Sequence, residues 1–323
     1  MVSKTRYLCG KYTKAMSTKK NYKVQASADN LLLGVTAFIP DASDPVKGVL
    51  QMVHGMAEHR GRYEPLMEYL ADNGYICVMH DNRGHGESIK GNRDLGYMYK
   101  GGSKALVEDV FSVNQWIQDE FAGQRVFLFG HSMGSMIVRE YLKKHDDTIE
   151  GLIVCGSPSK EPVAGVGRFI CQTISLFHGE RHISPTMVKL TTGSYNKDFA
   201  DEGSVSSWIC SDKAVVKAYD ADPLCGFPFT CNGYKALLDL SIDIYKDKGW
   251  LVKRRGLPIH FISGALDPCR KTDKAFGEAV LFMQKVGYPK VTSKLYPNMR
   301  HEIHNEIGKE KVWQDILETL SEW

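Results

Sequence analysis

Short apolar segments alternate with segments of helical periodicity along most of this 323-residue chain. Apolar runs bounded by turn-forming residues predict buried strands, and apolar residues at helical spacing predict the helices between them. This alternation is typical of a mostly parallel sheet with helices on both faces. The predicted strands are LLLGVTAFIP (31–40), KGVLQMVHG (47–55), YICVMHD (75–81), RVFLFGH (125–131), IEGLIVCG (149–156), PIHFISG (258–264) and VTSKLYP (291–297). We interpret the first two as an early strand pair.

Apolar residues at helical spacing fill the intervals between these strands. They lie in residues 63–70, 106–117, 136–142, 275–283 and 313–320. Thr272 is placed to cap the fourth of these helices and Gly287 to end it. We interpret all five apolar stripes as core-facing surfaces.

The alternation stops between residues 157 and 256. This stretch contains helical patterns such as GRFICQTISLF and YKALLDLSIDIY but no convincing buried strand. An excursion of that length between two strands is too long for a bare loop. We therefore predict a helical cap (157–256) inserted into a core formed by 1–156 and 257–323. Residues 1–30 are predicted to pair at the sheet edge or to stay partly mobile.

Composition restricts the class of partner and the location. The hydrophobic content of 43% suits a large core, and the net charge of +3 is spread without the basic runs that would predict nucleic-acid binding. Neither a secretory signal nor an apolar run long enough to cross a bilayer is evident, so we expect a soluble, cytoplasmic protein. The eight cysteines are interpreted as scattered free thiols. Four of them, Cys171, Cys210, Cys225 and Cys231, lack metal-binding spacing, and no cofactor or metal is predicted.

The segment FGHSMGSM (129–136) contains the pattern Gly-x-Ser-x-Gly around Ser132. The pentapeptide alone is weak evidence, but a predicted strand precedes it and a helical pattern follows it. A serine at such a sharp turn is a nucleophile elbow, in which the flanking glycines avoid a steric clash. Ser132 is therefore the candidate nucleophile.

A serine hydroxyl needs a histidine to accept its proton and a carboxylate to orient that histidine. Asp267 follows a predicted strand in HFISGALDP, and His301 follows the last strand in KLYPNMRHEIHNE. The chain order Ser132, Asp267, His301 is the order found in α/β-hydrolases. These residues form the predicted catalytic triad.

Other residues compete for these roles. Asp273 begins a predicted helix, where a carboxylate has a simpler explanation in the helix dipole. His304 is expected inside the last helix, and His131 is expected to line the pocket or to bond locally. Three further carboxylates, Asp239, Asp243 and Asp247, belong to the cap.

An oxyanion hole requires two backbone N–H donors. One is predicted at Met133, directly after the nucleophile, and the other at Met56 in the loop VHGMAEHRGRY (53–63). A metal site formed by His54, Glu58 and His59 is disfavoured, because their spacing is not H-E-x-x-H.

Several segments together resemble one family. These are HGMAEHRGRY (54–63), DNRGHGES (81–88), GHSMGS (130–135), GALDP (264–268) and RHEIHNE (300–306), with SYNKDF (194–199) and AYDADPLCGFPFT (218–230) in the cap. They resemble the monoglyceride lipase and lysophospholipase branch of the α/β-hydrolase fold, which is grouped with serine aminopeptidase-type hydrolases. The resemblance covers about residues 30–323.

This resemblance implies an α/β-hydrolase fold with an inserted helical cap that shapes an acyl tunnel. It implies hydrolysis of acyl esters such as monoacylglycerols or lysophospholipids, without metal or organic cofactor. Carried over by position, Ser132 is the nucleophile, Asp267 the acid and His301 the base, with Met56 and Met133 as oxyanion donors. Three residues of the DNRGHGES loop, Arg83, His85 and Ser88, are interpreted as structural.

Substrate choice stays open, because the cap selects the substrate. A short-chain carboxylesterase or an aminopeptidase would use the same triad, and a peptidase would need a cap carboxylate such as Glu161, Glu180 or Asp222. A ligand receptor on a hydrolase frame is the non-enzyme alternative. A serine nucleophile argues against dehalogenases and epoxide hydrolases. For the apolar cap residues, the alternatives are an acyl channel, a lipid-contacting surface and the cap's own core, and we favour the core for most of them. These residues are Phe169, Ile170, Ile174, Leu176, Phe177, Phe227 and Phe229.

Overall fold

The computed structural model describes residues 17–43, 45–191 and 193–323. The strands are β1 (Thr18–Gln25), β2 (Leu32–Ile39), β3 (Gly48–Val53), β4 (Tyr75–His80), β5 (Val126–His131), β6 (Gly151–Cys155), β7 (Ile259–Gly264) and β8 (Val291–Tyr296). They form one sheet in the order β1-β2-β4-β3-β5-β6-β7-β8. All seven predicted strands are present, within a few residues of their predicted bounds.

Helices connect these strands. They are α1 (Glu64–Ala71), α2 (Gly102–Glu120), α3 (Met133–His145), α4 (Ala164–His178), α5 (Pro185–Thr191), α6 (Lys213–Ala221), α7 (Cys231–Asp243), α8 (Asp273–Lys285) and α9 (Lys309–Glu322). Thr272 caps α8 as predicted, since its side chain accepts a hydrogen bond from the Ala275 N–H. Within the described part of the chain, none of the helices combines the length and apolar character that a membrane crossing requires.

Most neighbouring strands are parallel. The exceptions are β2, which pairs antiparallel with both β1 and β4. The prediction that β2 and β3 form a pair was wrong, because β4 lies between them and pairs with both. β3 pairs with β4 on one side and β5 on the other, so neither of its edges is free for β2. An apolar run identifies a buried strand without identifying its neighbours.

Two apolar layers cover the opposite faces of the sheet. Within β3, Leu50 and Met52 pack into one layer while Val49 and Val53 pack into the other. Side chains of α1 and α9 share the first layer, and side chains of α2, α3 and α8 share the second. This alternation is the two-residue period of a strand buried on both faces. The sheet thus has helices on both faces, as predicted.

The chain before β2 adds a strand at the sheet edge. Seven of the eight residues of β1 are exposed or half-buried, and β1 pairs antiparallel with the whole of β2. The prediction that the leader pairs at the edge is confirmed for residues 18–25. Its first 16 residues lie outside the described part of the chain.

The segment between β6 and β7, here called the insertion (residues 157–256), contains α4 to α7 and, in its described residues, no strand. Its helix α4 packs on α7, which in turn packs on α2 and α3. The sequence predicts that most of the insertion's apolar side chains form a local core. Phe169, Leu176 and Phe177 do not, because they are 70%, 81% and 77% exposed on α4. Phe229 is fully buried, and Ile170, Ile174 and Phe227 pack against the main core.

A buried ion pair anchors the loop after β4. Arg83 is fully buried, and its Nε and Nη2 lie 2.6 and 2.7 Å from the two carboxylate oxygens of Asp109 on α2. Asp29 accepts the remaining bonds, at 3.1 and 3.2 Å. In the same loop, the Ser88 hydroxyl donates to the Asp81 carbonyl at 2.6 Å and accepts from the Gly34 N–H. These contacts support the interpretation of Arg83 and Ser88 as structural.

Replacing Arg83 by methionine removes the cation between two carboxylates, one of them fully buried. We expect Arg83→Met to lower the free energy of unfolding by about 3–5 kcal/mol, because an uncompensated buried charge is costly. Urea denaturation measures this change. Lys285→Met is the matched control, since the Lys285–Asp247 pair is mostly exposed and its loss should cost under about 1 kcal/mol. Equal costs for the two variants would contradict the structural role of Arg83.

Candidate active site

Ser132 lies at the turn between β5 and α3, as predicted. Its backbone angles are φ 54° and ψ −118°, a left-handed φ that a residue with a Cβ rarely adopts. The Ser132 N–H donates to the Cys155 carbonyl at the end of the neighbouring strand, at 3.0 Å. The strained turn presents the half-buried serine beside the N-terminus of α3, where free N–H groups and the helix dipole favour negative charge.

The glycines that flank Ser132 are required by close backbone contacts. A Cβ at Gly130 would lie 2.5 Å from the Gly134 carbonyl oxygen. A Cβ at Gly134 would lie 2.6 Å from the His54 carbonyl oxygen at the end of β3. Both distances are shorter than real Cβ contacts, so the prediction that side chains would clash at these positions is confirmed.

Asp267 and His301 form a hydrogen-bonded pair. The Nδ1 atom of His301 lies 3.0 Å from each carboxylate oxygen of Asp267. Asp267 also accepts hydrogen bonds from the Cys269 N–H at 2.8 Å and the Ser263 hydroxyl at 3.0 Å. Burial raises the pKa of Asp267, but His301 and these donors lower it below its usual value. The carboxylate is therefore ionised and orients the imidazole ring.

The other ring nitrogen of His301, Nε2, is buried and has no hydrogen-bond partner among the described residues. Burial lowers the pKa of His301, whereas the Asp267 carboxylate and the neighbouring Cys269 raise it well above its usual value. An imidazole with a raised pKa and an unpartnered nitrogen is suited to accept a proton from a nearby hydroxyl.

Ser132 is connected to the Asp267–His301 pair through His131, the residue before Ser132, which contacts His301. Its ring centroid lies 4.7 Å from that of His301, and its Nε2 lies 3.2 Å from the His301 carbonyl oxygen. Its Nδ1 bonds the Tyr63 hydroxyl at 2.8 Å. His131 thus bonds locally, as predicted. Because it is engaged on both nitrogens, it is a poor competitor for the role of base.

The loop after β3 lies against Ser132. A Cβ at Gly55 would be 3.0 Å from the Ser132 Cβ, so this loop reaches the predicted nucleophile. The N–H groups on either side of Met56 are already engaged, with Gly55 donating to Glu58 at 2.6 Å and Ala57 to His85 Nε2 at 3.2 Å. Met133 is the first residue of α3, where a backbone N–H has no intrahelical acceptor. Both predicted oxyanion donors therefore lie on segments next to Ser132.

A buried ionic network below the site was not predicted. Arg62 donates to Glu58 at 2.7 Å and bonds both carboxylate oxygens of Glu302 at 2.6 and 2.5 Å. Glu58 holds the Gly55 N–H, and Glu302 directly follows His301. Arg62 thus ties the loop after β3 to the loop that carries His301. The available signal was that Glu58 lies two positions after Met56 and Glu302 directly after His301.

The insertion also contributes a side chain to the site. The ring centroid of Trp208 lies 4.9 Å from that of His301, and Tyr195 packs on Trp208 at 5.0 Å. Both aromatic residues come from the segment between α5 and α6. This contact was not predicted, because nothing in the sequence connects Trp208 with a residue 93 positions later.

The remaining candidates occupy other positions. Asp273 begins α8 as expected and is 80% exposed in its pair with Arg270. The prediction that His304 lies inside the last helix was wrong: α9 begins only at Lys309, after Gly308 in the left-handed conformation. His304 is instead buried and stacks on Tyr63, with ring centroids 4.5 Å apart.

The three side chains weighed as metal ligands bind different partners. His54 Nδ1 lies 2.9 Å from the Gly55 carbonyl oxygen, and Glu58 belongs to the Arg62 network. His59 contacts Asp222 of the insertion, with 2.9 Å between Nε2 and Oδ2. Among the described residues these three do not form a common cluster.

Comparison with known proteins identifies the family. A family model described as serine aminopeptidase, S33 matches residues 44–308. The chain belongs to this family. A monoacylglycerol lipase of Mycolicibacterium smegmatis is 26% identical over 86% of this chain and 88% of its own length. An abhydrolase domain-containing protein of Dictyostelium discoideum is 28% identical over 84% of this chain, which spans only 26% of that protein.

Solved structures show the α/β-hydrolase fold. A thermostable carboxyl esterase from Bacillus coagulans superimposes with a TM-score of 0.86 at 24% identity, over 94% of this chain and 98% of the esterase. Members of the S33 family are serine hydrolases. The strained serine after β5 and the buried acid–histidine pair follow the chain order Ser, Asp, His of this fold.

The pair formed by Asp267 and His301 predicts a specific pH dependence. The Asp267 carboxylate raises the pKa of His301, so Asp267→Asn should lower that pKa and move the acid limb of kcat/KM to lower pH. The rate should also fall by a factor on the order of 10³–10⁴, because the tautomer and orientation are lost. Both effects are measured by following the hydrolysis of p-nitrophenyl butyrate from about pH 5 to about pH 9, a range centred on neutrality.

Asp273→Asn is the matched control, because Asp273 lies six positions later and is largely exposed. It should leave the rate and the profile unchanged. An acid limb that stays in place in Asp267→Asn would contradict the assignment of that limb to His301.

Proposed function

We propose that this serine hydrolase cleaves monoacylglycerols or related single-chain lipid esters through an acyl-enzyme intermediate. The observation that carries the proposal is the arrangement around His301. Its Nδ1 is held by the ionised Asp267, while its buried Nε2 is unpartnered among the described residues. Ser132 follows His131, whose ring contacts His301.

In the proposed mechanism, Ser132 Oγ attacks the ester carbonyl carbon while His301 Nε2 accepts the hydroxyl proton. The N–H groups of Met56 and Met133 donate to the oxyanion of the tetrahedral intermediate. The C–O bond to the glycerol oxygen then breaks, and His301 returns the proton to that oxygen. Water attacks the acyl-serine with the same assistance from His301, which releases the fatty acid and restores the Ser132 hydroxyl.

The insertion supports a lipid substrate. Phe169, Leu176 and Phe177 expose most of their apolar surface on α4, an arrangement that suits transient contact with a lipid surface. The matching monoacylglycerol lipase of Mycolicibacterium smegmatis supports the same substrate class. We propose that the insertion acts as the lid over the acyl chain, and lysophospholipids are included among the candidate esters.

A peptidase function receives less support from the insertion. A peptidase would need a carboxylate to hold the substrate's ammonium group. The three candidates are already paired: Glu161 with Lys271, Asp222 with His59, and Glu180 with the Tyr97 hydroxyl. Aminoacyl amides therefore serve as the discriminating substrates, and we expect little turnover of them.

We propose the cytoplasm as the location. Every described cysteine is a buried free thiol, which suits a reducing compartment. A fluorescent fusion that is found outside the cytoplasm would contradict this proposal.

A substrate panel tests the function. We expect the purified protein to hydrolyse 1- and 2-monoacylglycerols and p-nitrophenyl esters of medium chain length faster than aminoacyl amides. Ser132→Ala should reduce kcat by a factor on the order of 10⁶, because the acyl-enzyme can no longer form. Labelling by a fluorophosphonate probe, followed by peptide mapping, should identify Ser132 in the unmodified protein.

Ser321→Ala is the control, since Ser321 lies on the exposed side of α9 far from the site in sequence. It should retain full activity and full labelling. Failure of the unmodified protein to hydrolyse any ester, despite labelling of Ser132, would favour a receptor on a hydrolase frame. Faster turnover of aminoacyl amides than of esters would favour a peptidase.

A further inference from the structure

Three metal-binding side chains meet where the insertion contacts the loop after β3. His59 comes from that loop, and Asp222 and Cys225 come from the loop after α6. One nitrogen, one carboxylate oxygen and one sulfur from these residues all lie within 4.8 Å of one another. His59 Nε2 and Asp222 Oδ2 lie 2.9 Å apart.

The backbone holds the two ligands from the insertion in place. The Cys225 N–H donates to the Asp222 carbonyl at 2.9 Å, which closes a four-residue turn. The Leu224 N–H donates to Asp222 Oδ1 at 2.8 Å, so the other carboxylate oxygen faces His59. These two hydrogen bonds, which Asp222 accepts, hold the residue in position in the absence of a metal ion. A site held in this way loses little conformational entropy on binding.

The site is also accessible. The side chains of His59 and Asp222 are 19% and 32% exposed, whereas Cys225 is buried. The guanidinium of Arg62 is already paired with Glu58 and Glu302. An ion can therefore enter from the Asp222 side and reach the buried sulfur.

We propose that His59, Asp222 and Cys225 bind a thiophilic divalent cation, with Zn²⁺ the best match. Zn²⁺ combines imidazole nitrogen, thiolate and carboxylate ligands, and a site with three protein ligands leaves the fourth position to water. Mg²⁺ and Ca²⁺ require oxygen ligands and do not suit a thiolate. Binding releases the Cys225 thiol proton to solvent, and the His59 proton moves from Nε2 to Nδ1.

Small side-chain movements bring the donor atoms to the required spacing. With bonds of 2.0–2.3 Å in a tetrahedron, ligand atoms lie about 3.3–3.8 Å apart. The separation is 2.9 Å for His59 and Asp222 and at most 4.8 Å for the other pairs, so each pair changes by about 1.5 Å or less. The weak bond from the Gly61 N–H to His59 Nδ1, at 3.2 Å, is lost when Nδ1 takes the proton.

A bound ion would tie the insertion to the loop that carries Met56. His59 and Asp222 are 163 positions apart in sequence, which explains why no motif predicts the site. Next to them, the Gly226 N–H and the Tyr219 hydroxyl both donate to the Ala57 carbonyl, at 2.9 and 3.0 Å. The ion would reinforce this contact between the insertion and the loop after β3.

Metal titration of the full-length protein tests the proposal. Cd²⁺ serves as an optical probe, because its bond to a thiolate gives an ultraviolet charge-transfer band, and calorimetry with Zn²⁺ gives the stoichiometry and Kd. We expect one ion per chain, with an affinity that rises about tenfold per pH unit below the thiol pKa, since one proton is released. Saturation with Zn²⁺ should raise the Tm, because the ion binds the folded chain.

Cys225→Ser and Asp222→Asn should each weaken binding more than about tenfold, and Cys225→Ser should abolish the Cd²⁺–thiolate band. Cys269→Ser is the matched control, because Cys269 belongs to a second possible cluster with Asp267 and His301. Its Cd²⁺ band should be unchanged. The Tm of each variant in EDTA shows that it folds.

Two outcomes would overturn the proposal. One is the absence of a thiolate band in the unmodified protein at a stoichiometric Cd²⁺ concentration. The other is a band that persists in Cys225→Ser and disappears in Cys269→Ser, which would place the ion at the acid–histidine pair.

Discussion

Backbone packing at the carboxyl ends of the central strands is the constraint on which the site depends. Gly134 lies against the carbonyl groups at the end of β3, Gly264 against the carbonyls of Met299 and Arg300, and Gly55 against Ser132. No side chain fits at these contacts, so three loops approach one another more closely than ordinary residues allow. The nucleophile turn, the loop of His301 and the predicted oxyanion loop are placed by this packing.

The ionic network of Arg62, Glu58 and Glu302 further restricts the positions of two of these loops. Arg62 bonds Glu58 and Glu302, and each carboxylate belongs to a different loop. Burial raises the pKa of Glu58, but His131 and Arg62 keep it well below its usual value, so the carboxylate stays charged. Such a network is expensive to bury and strongly directional, which suits a region where the positions of donors and acceptors matter more than stability.

Local sequence patterns predicted the elements and the principal site residues but not the contacts between distant segments. Apolar runs identified seven strands, whereas the bounds of β1 within the predicted edge-pairing leader were not predicted, because its side chains are mostly exposed and polar. The position of β4 between β2 and β3 is a long-range pairing with no local signal. In the site, Ser132, Asp267 and His301 each follow a strand end, which local patterns reveal. Arg62 and Trp208 act through partners far along the chain.

The contact between Trp208 and His301 links the environment of the imidazole ring with the segment that is proposed to select the substrate. The insertion forms part of the surroundings of the imidazole ring, and in the proposed function it also lies over the acyl chain of the substrate. An insertion exchanged between relatives would alter the solvation of that ring together with the shape of the acyl path. In this protein, we therefore expect a change in the insertion that alters the substrate range to alter the pH dependence of the rate as well.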